Sequence, residues 1–257
     1  MKHIPGSKSL AALVLLGLIL MAPAAPAASP SYLLSLRQGL QQGLENLDAH
    51  LVQAAREIGS LGIRNPKVND VLRLVLVGQS FTISCSIISA GGFMVAVEPA
   101  EFSRLEDYNL RATKDRPQTQ ASREPTLTKR FPTAEGGWAV ALTQPINDEQ
   151  GKFLGWLSLL IDPVEMMVAI LDQAPPPSGR EVWLAQSDGV LLYHPQAAEV
   201  GRNLGSDPSY QGQPAKAELG RRLSTEAEGE SQAAKAQWLS LGLHGAAWRL
   251  LLVRPEG

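Results

Sequence analysis

Leu33, Leu36, Leu40, Leu44, Leu47 and Leu51, followed by Ala54, Ile58 and Leu61, recur at steps of three and four. That spacing keeps a narrow apolar stripe on one side of an α-helix from Tyr32 to about Leu61, held for four heptads. Arg37, Gln41, Gln42, Glu45, Asp48 and Arg56 fill the faces between. Such a stripe has to be covered by something. The rest of the chain can cover it, or a second copy can, in which case Leu33–Leu61 is a homodimer seam. The spacing is compatible with both.

What precedes the helix reads as a leader. Lys2 and Lys8 open it, Ser9 to Met21 form an apolar run, and Ala25-Pro26-Ala27 has the small-x-small order of a signal-peptidase site. The run falls short of the roughly 20 apolar residues that span a bilayer as a helix. Residues 1–27 are therefore expected to be a cleaved signal peptide and the protein periplasmic or secreted, with an uncleaved N-terminal anchor as the alternative. Cys85 is the only cysteine, so no intramolecular disulfide forms. An exported chain of this kind fits a bacterial or archaeal cell envelope. A net charge of −2 argues against general nucleic-acid binding.

After Leu61 the period changes. Val68 to Val77 is a second, shorter helix. Thr82 to Ser89 and Phe93 to Val97 are β-rich and flank Ala90-Gly91-Gly92, a hairpin signal. Leu127 to Phe131, Trp138 to Pro145 and Phe153 to Ile161 complete five antiparallel strands. Asp162-Pro163-Val164-Glu165 starts a helix to about Gln173, with Asp162 as its cap. Pro175-Pro176-Pro177-Ser178-Gly179 is a stiff linker. A second β pattern follows: Glu181 to Gln186 and Val190 to Tyr193 around Ser187-Asp188-Gly189, then Gln232 to Leu243 and Ala247 to Val253 around His244-Gly245. Short helices are expected at 199–203 and 215–223. The fold class is α+β: N-terminal helices over 28–80, then antiparallel-sheet modules over 81–174 and 175–257.

Four phrases, in this order, resemble the double Cache (PDC) family of extracytoplasmic, PAS-like sensor domains. They are Ser89-Ala90-Gly91-Gly92-Phe93-Met94-Val95-Ala96-Val97-Glu98-Pro99; Gln144-Pro145-Ile146 with Gly151-Lys152-Phe153-Leu154-Gly155; Ser187-Asp188-Gly189 through Tyr193-His194-Pro195 with Val200-Gly201-Arg202-Asn203-Leu204; and Trp248-Arg249-Leu250-Leu251-Leu252-Val253. They span residues 32–253. The resemblance implies two PAS-like modules behind one long helix, with 81–174 membrane-distal and 175–257 membrane-proximal. It also implies a ligand held in the first module, between its sheet and the segment that crosses it, here Glu98 to Pro125.

That crossing region is basic in an otherwise acidic chain: residues 104–130 hold seven Lys or Arg against four Asp or Glu. Arginine offers forked donors that match a carboxylate, and tyrosine and threonine add orienting hydroxyls. Tyr108, Arg111, Arg116, Arg123, Thr126 and Thr128 are the expected ligand-binding residues, with Trp138 as a pocket wall. The expected ligand is a small organic anion, a carboxylate or an amino acid. The Arg-x-Trp-Tyr pattern of the family's amino-acid-binding branch is absent, and that departure weighs against an amino acid.

No residue pattern calls for catalysis, a metal or a cofactor. His3, His50, His194 and His244 have no Cys, His or Glu at ligand spacing, and His194 reads as a turn residue. No nucleophile elbow or phosphate loop occurs. Cys85 reads as a small buried residue. The expectation is a secreted, stand-alone, non-enzymatic sensor that signals through a separate membrane receptor, kinase or transporter. The alternative is a non-binding dimeric scaffold of the cell envelope.

Overall fold

The computed structural model describes residues 30–78, 80–112, 123–210 and 212–255; the expected leader lies outside them. Helix α1 (Pro30–Leu61) is the long helix of the leucine stripe. Leu33, Leu36, Leu40, Leu44, Leu47, Leu51 and Ile58 are all at most 6% exposed. The chain's own two sheets cover them. Of the two covers that the sequence allows for this stripe, the rest of the chain is the one that buries these leucines. Helix α2 (Val68–Leu76) buries Val68, Val71 and Leu72, one turn apart. No described helix is long and apolar enough to cross a membrane.

The first sheet contains β1 (Thr82–Ser89), β2 (Met94–Glu98), β3 (Thr126–Leu127), β4 (Phe131–Pro132), β5 (Trp138–Asn147) and β6 (Phe153–Ile161). Its order is β2-β1-β6-β5-β3, with β4 also on β5, and every described pairing in it is antiparallel. Six strands replace the expected five. The single strand expected over 127–131 is interrupted because the Ala141 N–H donates to the Thr128 hydroxyl oxygen at 2.8 Å rather than to a backbone carbonyl. Alternation sends Cys85, Ile87, Val140, Leu142, Leu157, Leu159 and Ile161 to the α1 face. Cys85 is fully buried, and burial pushes its thiol pKa up. Ser84, Ser86, Ala139, Ala141, Thr143 and Ser158 fall on the opposite face.

Asp162 caps α3 (Pro163–Gln173), its Oδ1 accepting from Val164 N at 2.8 Å and Glu165 N at 3.4 Å. The second sheet is built from β7 (Glu181–Gln186), β8 (Leu191–Tyr193), β9 (Gly229–Ser231), β10 (Ala236–Leu241) and β11 (Trp248–Val253), in the order β8-β7-β11-β10-β9. Helix α4 (Pro214–Thr225) precedes β9. The helix expected at 199–203 is a single 3-10 turn, Ala197–Glu199. The strand expected from Gln232 begins at Ala236. Strand β9 escapes sequence reading because Gly229-Glu230-Ser231 carries no apolar alternation.

Both sheets share one core along α1: Ile87 and Leu157 of the first belong with Leu184 and Leu250 of the second. Polar ties reinforce it. Arg37 Nε donates to Ser240 O at 3.1 Å, and Gln41 exchanges two hydrogen bonds with the Gly242 backbone. Directly between the sheets, Lys129 Nζ lies 2.7 Å from Asp188 Oδ2, and Arg130 N donates to Gln186 Oε1 at 2.6 Å.

Candidate functional site

The face of the first sheet turned away from α1 carries small side chains at Ser84, Ser86, Ala139, Ala141 and Ser158, and these leave room among larger ones. A cavity of about 200 Å³ opens there, over Ser86 and Ile88 of β1, Met94 of β2 and Ser158 and Leu160 of β6. Residues 107–109 are zipped along β2 and bring Tyr108 to its edge: Asp107 N donates to Met94 O at 2.8 Å, and Met94 N to Tyr108 O at 3.0 Å. The 131–135 stretch closes the other side with Phe131, Thr133 and Glu135.

Ser86 and Ser158 stand directly opposite one another across the β1–β6 ladder. They are 2% and 5% exposed. Among the described residues neither hydroxyl has a hydrogen-bond partner. Their neighbour Ser84 does have one: its Oγ donates to Glu135 Oε1 at 2.8 Å. Burying a hydroxyl without a partner costs about 1–3 kcal/mol. Two in register, facing an open space, are suited to a guest that can hydrogen-bond both. The Glu135 carboxylate, held by one of its oxygens, brings negative charge to the same cavity.

Tyr108 is the one expected site residue on the cavity wall, 40% exposed at its mouth. The other described ones lie elsewhere. Arg111 folds back along the hairpin: its Nη2 donates to Ala90 O at 2.8 Å, and its stem covers Gly92, where a Cβ would stand 2.6 Å from Arg111 Cγ. Gly92 has φ +86, so glycine is needed there on both counts. The Arg123 guanidinium sits 5.0 Å from the Phe153 ring centre. Thr126 Oγ1 donates to Glu124 O at 3.1 Å, and Thr128 is absorbed into the β5 ladder. Trp138 is half exposed and stacks under Arg130 at 4.3 Å, and it does not line the cavity over Ser86 and Ser158. Arg116 lies outside the described residues. The arginine-lined cavity is thereby corrected for the described residues: short-range carbonyl and ring partners capture Arg111 and Arg123 before they reach the sheet face.

Sequence reading missed Ser86, Ser158 and Glu135. A signal was present. Ser84, Ser86 and Ser158 alternate with aliphatic residues on strands otherwise buried on both faces, which marks one face as small and polar.

Among the described residues no group of three or more His, Cys, Asp or Glu is placed to hold a metal ion. Glu98, buried at the end of β2, accepts from Arg73 Nε at 3.1 Å.

Residues 42–163 match the model of the HK/GC/chemotaxis protein-like sensor domain family. No curated protein matches the chain. Solved structures do. An extracellular ligand binding receptor from Desulfohalobium retbaense is 24% identical, with a TM-score of 0.77 over 90% of this chain and 41% of that one. This chain thus spans about two fifths of that receptor. The ligand-binding domain of the amino-acid chemoreceptor PctC of Pseudomonas aeruginosa PAO1, in complex with GABA, is 19% identical, with a TM-score of 0.65 over 87% of this chain and 96% of that one. The ligand-binding domain of chemoreceptor CtaA of Pseudomonas fluorescens, in complex with L-valine, is 15% identical, with a TM-score of 0.57 over 88% and 97%.

Proposed function

We infer, from a chain that has the Cache-type sensor fold, that its first cavity binds a small amino-acid-like molecule and that the domain reports its occupancy. The observation that carries this is the facing pair of buried, unpartnered hydroxyls, Ser86 and Ser158. In this reading the ligand's ammonium group faces Glu135, and its carboxylate accepts from Ser86, Ser158 and Tyr108. The cavity size fits a molecule of a few heavy atoms. The complexes of the similar chemoreceptor domains with GABA and L-valine support an amino acid over a simple carboxylate. The expected anionic ligand is thus narrowed to its amino-acid member, since a carboxylate side chain stands on the wall.

The proposal places the domain outside the cytoplasm, on the strength of the basic, apolar and small-residue order of residues 1–27. It divides the folded chain at the Pro175-Pro176-Pro177 linker into a ligand module and a second, smaller module, and it has the signal handed to a separate partner protein. Thermal-shift and calorimetric titration with GABA, L-valine, L-serine and simple carboxylates tests the binding claim, because a ligand that binds only the folded state raises its apparent stability by mass action. At least one amino acid should raise Tm in the native chain and not in Glu135→Gln or Ser158→Val. If no amino acid shifts the native chain, the reading is wrong.

A further inference from the structure

A second, larger cavity of about 480 Å³ lies in the other sheet, between β7, β11 and the start of α4. Trp183, Val253, Leu219 and Ala234 give it apolar lining. Its polar groups are not scattered. His194, read from sequence as a turn residue, is only 6% exposed and lines the cavity. Its Nδ1 accepts from Gln196 N at 3.0 Å, which puts the proton of the neutral ring on Nε2. Among the described residues that Nε2 N–H has no partner. Trp183 holds the ring in place, with centroids 4.5 Å apart.

The start of α4 faces the same space. Gln213, Pro214, Ala215 and Lys216 all line it. The cap residue Gln213 gives no side-chain bond to the first turn, so the positive end of this 12-residue helix is uncapped. Lys216 adds an ammonium group, 4.5 Å from the Tyr210 ring centre and 4.0 Å from Glu199 Oε2. The two acidic residues present are engaged. Glu199 is bound by Arg202 at 3.2 Å and by the Tyr210 hydroxyl, and Glu181 accepts from Trp183 Nε1 at 3.0 Å. The donors facing the space are an imidazole N–H, an ammonium group within 4.0 Å of Glu199 Oε2 and a helix N-terminus, beside an indole face. A carboxylate matches the donors, and a flat apolar body matches the indole.

We propose that this cavity is a second ligand site, for a small monocarboxylate with a flat or apolar body, its carboxylate at Lys216 and His194 and its body against Trp183. The site lies in the other sheet from the Ser86–Ser158 cavity and does not depend on that cavity being occupied.

Phenylacetate serves as the probe, titrated into the native chain by calorimetry and by indole fluorescence, with phenylacetamide as the uncharged control. Saturable phenylacetate binding is expected, at least about tenfold weaker for phenylacetamide and for Lys216→Met. The Lys216→Met change keeps the stem of a partly exposed side chain. His194→Phe, which keeps a ring against Trp183 and removes the N–H, should weaken binding as well. Ser158→Val should leave it unchanged. The proposal is overturned if phenylacetate does not saturate the native chain, if Lys216→Met and His194→Phe both bind as well as native, or if Ser158→Val abolishes binding. The last outcome assigns the probe to the first cavity, and a failure here leaves the amino-acid titration there untouched.

Discussion

Asp48 Oδ1 lies 2.7 Å from His244 Nε2, joining the middle of α1 to the β10–β11 turn across 196 positions of sequence. The same oxygen accepts from Gln144 Nε2 of β5 at 2.5 Å. One half-buried carboxylate thus ties both sheets to the helix they share. Asp48→Ala strands two partners at once and should cost about 1–3 kcal/mol, read from urea unfolding. Asp48→Asn keeps an accepting oxygen and should cost less. In a double-mutant cycle with His244→Ala the losses should fail to add, as they do for residues in contact; additive losses would show that the contact contributes no coupling.

The common core predicts common unfolding. Leu44 is 1% exposed on α1, in the cluster that reaches both sheets. Leu44→Ala should destabilise by about 2–5 kcal/mol, the range for truncating a buried leucine. The loss should appear as one transition, with far-UV circular dichroism and tryptophan fluorescence coincident. Two separated transitions would mean that the sheets unfold independently.

Gly155 sits on β6 where β1 passes closest. A Cβ there would stand 2.1 Å from Ile88 O, closer than any real contact. Gly155→Ala must push the β1–β6 pair apart and should cost about 1–3 kcal/mol, as overpacking does. A melting temperature unchanged from native would show that the strand relaxes freely.

Ser158→Val should separate stability from binding. It removes a buried hydroxyl that has no described partner and fills open space, so the folded chain should be as stable as native or up to about 1–2 kcal/mol more stable. The amino-acid response should be lost. Such a trade-off is expected where a site keeps polar groups for a guest. A clear loss of stability would mean that the hydroxyl serves the fold.

Burial holds the His194 imidazole below its ordinary range; nearby Glu181 and Glu199 pull the other way and are outweighed, while Lys216 adds to the depression. Below about pH 6.5 the unfolded chain takes up this proton while the folded chain resists it. Stability should therefore fall as pH drops through and below that value, and be fully present above it. Denaturant midpoints measured between neutral and mildly acidic pH should fall less steeply in His194→Phe. An equal slope in the two proteins would assign the acid sensitivity to other groups.

Local signals carried much of the fold. The three-four spacing of leucines, the Asp162-Pro163 start and the glycine hairpins placed α1, α3 and most strands close to where they lie, because each depends on residues within a turn or a hairpin of one another. The candidate site was less legible. Arg111, Arg123 and Trp138 have the right chemistry for a pocket, yet a carbonyl, a phenylalanine ring and an arginine hold them elsewhere, and nothing in their spacing says so.

Periodicity and capping, which act over a few bonds, thus determined from sequence alone that this chain would form a long helix and antiparallel hairpins with one apolar stripe to cover. Tertiary structure decided what covers that stripe and which side chains meet. The pairing of Ser86 with Ser158, the approach of Glu135 to their cavity and the burial of His194 beside Trp183 depend on strand register and loop path. Those are set only when distant segments compete for the same space and the same hydrogen bonds.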